Sequence, residues 1–302
     1  MIFRVLIFLT SVISFSVYAD ISVIDDTGQQ VTLKKPAKRI ISLAPHATEM
    51  LFGAGAGEYI VGAVNFSNYP LAARNIPRVG NYTQLDFEVI VSLKPDLIIA
   101  WKSGNAASQL QKLRSLGFVI YTSEPRKIDD IPASLERLGK LAGTQSIATK
   151  AALEFRKEHV RLQTMYSGQK KITVFYEIWN RPLMTINGQH LISNVIKLCG
   201  GDNVFSDLTI LAPKIDIEAV LDKNPEVIIA SVHVKPQPVW RDQWQHWPHL
   251  KATRNNNLYF IPPDIILRNS PRILQGARML CEHLANARGK QSSASGLNQV
   301  FQ

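Results

Sequence analysis

The chain has 302 residues, 46% of them hydrophobic and 19% charged, with a formal charge of +10. That is ordinary globular composition, long enough for one large or two medium cores, and it argues against disorder. The densest basic runs, "TLKKPAKR" and "GQKK", have no interleaved aromatics, so the charge reads as a solvated surface and no nucleic-acid partner is expected.

In chain order, residues 1–19 read as a secretory signal peptide. "MIFR" is a positive start, "VLIFLTSVISFSV" an apolar run, and "VYA" supplies small residues at a cleavage site before Asp20. No cysteine follows the site, so no lipid anchor is expected. No later apolar run reaches the roughly 18–20 residues that cross a bilayer, so no membrane insertion is expected either. The mature protein is therefore expected to be exported. Residues 20–38 read as a β-hairpin turning at Asp-Thr-Gly.

Residues 39–145 then alternate apolar strands ("RIISLAP", "YIVGAV", "PDLIIAW", "FVIYTS") with helices. The helices are "HATEMLFGAG", "DFEVIVSLK", "ASQLQKLRSLG" and "IDDIPASLERLGKLAG". Residues 146–170 open with an uninterrupted run of helix formers and read as a rigid connecting helix, roughly 33 Å long over some 22 residues. Residues 171–288 repeat the alternation, and 289–302 read as a disordered tail.

The second half echoes the first. "LDFEVIVSLKPDLIIAW" returns as "KIDIEAVLDKNPEVIIAS", with Asp86 answering to Asp216, Glu88 to Glu218 and Pro95 to Pro225. Alternating strands and helices imply parallel sheets covered on both faces. The predicted fold class is therefore α/β, with two doubly wound lobes of related topology joined by one long rigid helix. Strand ends in such lobes face a cleft, where ligands bind. A secreted, two-lobed chain of this kind has the shape of a binding protein that delivers small molecules to a transporter.

Two cysteines, Cys199 and Cys281, lie downstream of the signal; in an oxidising compartment they read as a disulfide or as two buried thiols. They lack histidines at ligand spacing, and His246 and His249 lack a third ligand nearby, so no metal site is expected. "VWRDQWQHWPHL" reads as a helix packing its tryptophans on the second lobe. No G-x-S-x-G, H-E-x-x-H, P-loop or G-x-G-x-x-G in the right context is present, so the chain reads as non-enzymatic and without a cofactor. An exported two-lobed enzyme or sensor subunit is the reading of another class, and it would need titratable groups of perturbed pKa inside the cleft.

The segments "RIISLAPHATEMLFGAG", "VGAVNFSNYP", "LKPDLIIAWKSGNA", "LCGGDNVF" and "NSPRIL" resemble the periplasmic vitamin B12-binding (BtuF) family of ABC-importer binding proteins, from about Arg39 to Ala287. The resemblance implies a monomer that binds cobalamin, or a related corrinoid, and hands it to a permease and its ATPase. Haem and ferric siderophores are the alternatives within the superfamily. It implies a Cys199–Cys281 disulfide tying the first helix of the second lobe to the last. It implies docking to the permease through Glu88 and Glu218, one glutamate per lobe; for the residues alone, a favourable charge in the first helical turn is sufficient reason for both. Ligand contacts carry over to Phe66, Tyr82, Met184, Ala212 and the stretch Asp264, Ile265, Ile266, Leu267 and Arg268. Aromatic bulk is kept at 66 and 82, softened at Met184 and lost at Ala212. Asp264 and Arg268 are expected to hydrogen-bond the amides of the ring edge. His46, at the start of the first helix and facing the cleft, reads as a group that approaches the ligand or its metal or, because the family has a small residue in its place, as a spectator.

Overall fold

The computed structural model describes residues 20–232 and 238–300; the expected signal peptide lies outside the described residues. Strands β1 (Ile21–Ile24) and β2 (Gln30–Leu33) form the expected antiparallel hairpin. Its turn is held by the Asp25 carboxylate, which accepts from the backbone N–H groups of Thr27 (2.8 Å) and Gln29 (3.0 Å).

The first lobe contains β3 (Ile40–Ser42), β4 (Ile60–Ala63), β5 (Leu97–Trp101) and β6 (Ile120–Ser123). They make a parallel sheet in the spatial order β4-β3-β5-β6. The second lobe contains β7 (Ile172–Glu177), a small antiparallel pair β8 (Trp179–Asn180) and β9 (Leu183–Met184), then β10 (Gly201–Asn203), β11 (Val227–Ala230) and β12 (Leu258–Phe260). Its parallel sheet runs β10-β7-β11-β12. Counted within each lobe, both orders are second-first-third-fourth, so the sequence repeat is a repeat of topology. The β8–β9 pair has no counterpart in the first lobe among the described residues.

Helices cover both faces of each sheet, which is why the inner strands are largely apolar. The connector is the helix Gln145–Tyr166, shorter at its C-terminus than the predicted 146–170. It buries Ala148, Ala152, Phe155 and Leu162 along one stripe. Its near end lies close against the helix Asp130–Ala142, where a Cβ on Gly139 would fall 2.2 Å from that of Ala148. One hydrophobic cluster runs from the first lobe through this stripe into the second. The last helix is Ile273–Val300, so residues 289–300 are helical rather than the expected disordered tail. No proline interrupts the run, and each added residue gains a helical hydrogen bond at the small cost a glycine or serine imposes.

Cys199 and Cys281 are disulfide-bonded across 82 residues, joining the end of the helix Leu191–Leu198 to the last helix. Closing a loop of that length restrains the unfolded chain by about 4 kcal/mol. Trp240 and Trp244 pack into the second lobe as expected, and Trp244 meets Phe175 edge to face.

The Trp244 indole N–H donates to Glu177 Oε2 at 2.7 Å, while Glu177 Oε1 has no partner among the described residues. Burial raises the Glu177 carboxyl from 4.5 to about 7, and the Trp244 hydrogen bond offsets this only in part. Between those two values the folded state holds a proton that the unfolded state has released, so stability falls as pH rises across the window. Glu177→Gln is expected to flatten that slope and to raise stability at about pH 8. Urea unfolding at several pH values checks it, and an unchanged slope would remove Glu177 as the cause.

Candidate functional site

The two sheets aim the C-terminal ends of their strands at one cleft of about 810 Å³, large for a small-molecule site. After β3 come Pro45 and His46; after β4 comes Phe66; β5 ends at Trp101; after β6 come Glu124 and Arg126. The second lobe adds Trp179 after β7, His190 and Leu191 at a helix start, and Asp264 with Arg268 after β12.

The first-lobe wall is held by Asn105. Its side-chain N–H groups donate to the carbonyls of Leu43 (3.0 Å) and Tyr82 (2.8 Å), and its oxygen accepts from the Trp101 backbone at 2.7 Å. One buried amide thus pins a strand end, the Tyr82 loop and the Trp101 backbone together. Gly104 is needed beside it, because a Cβ there would sit 1.8 Å from the Trp101 ring. His46, Trp101 and Tyr82 then form an aromatic row with ring centres 5.3 and 5.9 Å apart. Phe66 has a φ of 65°, a costly backbone conformation for a bulky residue; it is 72% exposed and lines the cleft.

The second lobe is clamped to the first by charge. Glu49 is buried in the helix Pro45–Gly53, and Arg268 Nη1 (2.8 Å), Arg272 Nη1 (3.3 Å) and Ser270 Oγ (2.6 Å) all donate to it. Arg268 also donates to Asn68 Oδ1 (2.8 Å), the Phe66 carbonyl (3.2 Å) and Asp264 Oδ1 (2.7 Å). Arg268 therefore lines the cleft, but the hydrogen-bonding capacity of its two terminal nitrogens is already directed at protein oxygens. The other cleft arginine, Arg126, pairs with Glu124 at 3.1 Å. The cleft is apolar in the middle and neutralised at its charges.

The sequence-predicted contacts Phe66, Tyr82, Ala212, Asp264, Leu267 and Arg268 are brought together around this space. Met184, Ile265 and Ile266 are not among its lining residues. Ile266 is fully buried and packs against Gly276 of the last helix. Met184 lies directly opposite Trp179 in the β8–β9 pair, and it is the tryptophan that lines the cleft. Sequence reasoning missed Trp179, Glu49 and Asn105; the last two lie inside quoted motifs, in "TEMLF" and "SGNA".

Glu88 and Glu218 are exposed in the first turn of equivalent helices, Phe87–Ser92 and Ile217–Lys223. Asp86 and Asp216 cap these helices, accepting from Val89 N at 3.1 Å and Ala219 N at 2.8 Å. Neither glutamate has a hydrogen-bond or ion-pair partner among the described residues. His246 and His249 are exposed on the second lobe, and no cluster of metal-ligating side chains occurs among the described residues.

Residues 40–265 match the family "Periplasmic binding protein". The chain belongs to that family. It is 40% identical to the vitamin B12-binding protein of Vibrio cholerae over 250 residues, 82% of this chain and 90% of that one. It is 36% identical to the vitamin B12-binding protein of Vibrio parahaemolyticus, over 85% of this chain and 93% of that one. The crystal structure of the periplasmic vitamin B12-binding protein BtuF of Vibrio cholerae superposes with a TM-score of 0.78 at 38% identity, covering 84% of this chain and 98% of that chain. A periplasmic haem-binding protein, RhuT from Roseiflexus, superposes with a TM-score of 0.73 at 20% identity, which shows the shared fold alone. The family is periplasmic, and no helix among the described residues is long and apolar enough to cross a membrane.

Glu49→Ala would leave Arg268 and Arg272 without the carboxylate that compensates them. Breaking a buried ion pair from one side costs about 3–5 kcal/mol. The expected outcome is a loss of that size in denaturant unfolding with both lobes affected; a loss below about 1 kcal/mol, the size of an exposed pair, would show that the clamp is not what holds the lobes.

Proposed function

We propose that this protein captures cobalamin or a related corrinoid in the interlobe cleft and delivers it to an ABC importer, without catalysing a reaction. Its relatives named vitamin B12-binding protein support the reading, and the observation that carries it is the electrostatic character of the cleft. Haem and most ferric siderophores bring anionic groups, and such groups call for unpaired cations. Here Arg126 already faces Glu124, and Arg268 faces Glu49 and Asp264. A broad macrocycle whose rim carries uncharged amides fits walls built from Phe66, Tyr82, Trp101 and Trp179. Asp264 is half exposed at the rim and remains able to accept from an amide N–H.

Delivery follows from the duplicated lobes. Glu88 and Glu218 present matching unpaired negative charges from topologically equivalent helices, which suits a two-fold symmetric permease carrying cationic partners. The stiff connector and the continuous core favour capture with little hinge motion.

Titration of the mature protein with cyanocobalamin, haemin and a ferric siderophore is expected to show micromolar or tighter binding of the first alone. Haemin binding without cobalamin binding would overturn the ligand assignment. Joint reversal of the two glutamates, Glu88→Lys with Glu218→Lys, is expected to spare cyanocobalamin affinity and abolish complex formation with the purified permease. Intact complex formation would refute the docking role.

A further inference from the structure

The first-lobe wall carries a side chain that packing alone does not explain. His46 is 4% exposed, yet neither of its ring nitrogens has a hydrogen-bond partner among the described residues. Core histidines ordinarily satisfy at least one nitrogen, since a buried unpaired polar group costs about 1–3 kcal/mol. His46 lines the cleft. Beside it, Trp101 Nε1 is also buried without a partner, and the two rings meet edge to face at 5.3 Å. The mount is rigid: Pro45 and His46 open the helix Pro45–Gly53, in which Ala47 to Leu51 are all buried.

We infer that His46 is a metal-directed donor, whose imidazole takes the axial position of a corrinoid's cobalt when the ligand already there is labile. The inference rests on the corrinoid reading above. The step is a ligand substitution: the bond from cobalt to a bound water breaks, a bond from cobalt to one imidazole nitrogen forms, and the water leaves to solvent. No electron is transferred. Nothing on the protein competes for the lone pair of the unprotonated nitrogen, because no N–H of the described residues is directed at the ring nitrogens. Burial, and secondarily the nearby Arg268 cation, lower the imidazole to about 4, so it is unprotonated at neutral pH.

The other cleft histidine makes a contrast. His190 Nδ1 accepts from the Ile192 backbone N–H at 3.2 Å, as the cap of the helix Leu191–Leu198. Its Nδ1 lone pair is thereby spent on the fold.

The test compares aquacobalamin, whose axial water exchanges, with cyanocobalamin, whose cyanide does not. On binding to the wild-type mature protein, aquacobalamin is expected to shift its absorption bands to those of a free-imidazole–cobalamin control. It is also expected to bind roughly tenfold or more tightly than cyanocobalamin, a difference of about 1.4 kcal/mol. His46→Gln should remove the shift and the extra affinity, so that the variant binds aquacobalamin no more tightly than it binds cyanocobalamin, and His190→Gln should keep the shift. Aquacobalamin bound with an unshifted spectrum overturns the inference without needing any variant to fold, and leaves the corrinoid reading standing. A shift that survives His46→Gln overturns it equally. Failure of both corrinoids to bind defeats the corrinoid reading and this inference together.

Discussion

The Glu49 carboxylate holds the two lobes in register. It sits in a helix buried on every side and receives Arg268, Arg272 and Ser270 from the segment that follows the last strand of the opposite lobe. A lone buried carboxylate is unfavourable by several kcal/mol, and so is a lone buried guanidinium. Glu49 is tolerable because the other lobe supplies its counter-charges, and Arg268 because Glu49 and its own neighbour Asp264 both face it. The same arginine reaches on to Asn68, the Phe66 carbonyl and Asp264, so the clamp also shapes the Phe66 turn and the rim of the cleft. Lobe placement and cleft architecture are one hydrogen-bonded unit.

Duplication gives the cleft its position, and departures from duplication give it its lining. Two sheets of identical strand order aim their C-terminal ends at a common space, the general location of ligand sites in open α/β sheets. The walls then differ. The first lobe uses a bracket, with Asn105 pinning Tyr82 and Trp101. The second uses the β8–β9 pair, which swings Trp179 into the cleft and leaves its partner Met184 off it. Trp179 gives the second-lobe wall an aromatic face, and Ala212 beside it on the cleft is small.

Charge is distributed on the same logic. Inside the cleft the arginines are compensated, which favours a ligand with an uncharged rim. On the outer surface two carboxylates stand unpaired at equivalent helix starts, where the helix dipole tolerates them at no cost to stability. The interior is thus suited to recognition by shape, and the exterior to orientation by charge.

The alternation of strands and helices, the parallel sheets, the duplicated lobes and the connector were legible in the chain, because they follow from patterns within single segments: alternation of apolar runs, a proline after a helix, an unbroken run of helix formers. Resemblance to the family pointed to the pairing of Cys199 with Cys281. The tail was misread because glycine and serine there suggest disorder, while an unbroken helix needs only the preceding turn to continue. The clamp was out of reach, since Arg268 and Glu49 are 219 positions apart and nothing local marks either as buried. So was the place of Trp179 on the cleft, which no local pattern marks, and so was the lack of a partner for buried His46 Nε2. Sequence by itself determined which segments form and how they repeat. Only the tertiary structure decided which side chains share a face of the cleft and which charges are already spent, because burial and counter-charge are properties of positions brought together from opposite ends of the chain.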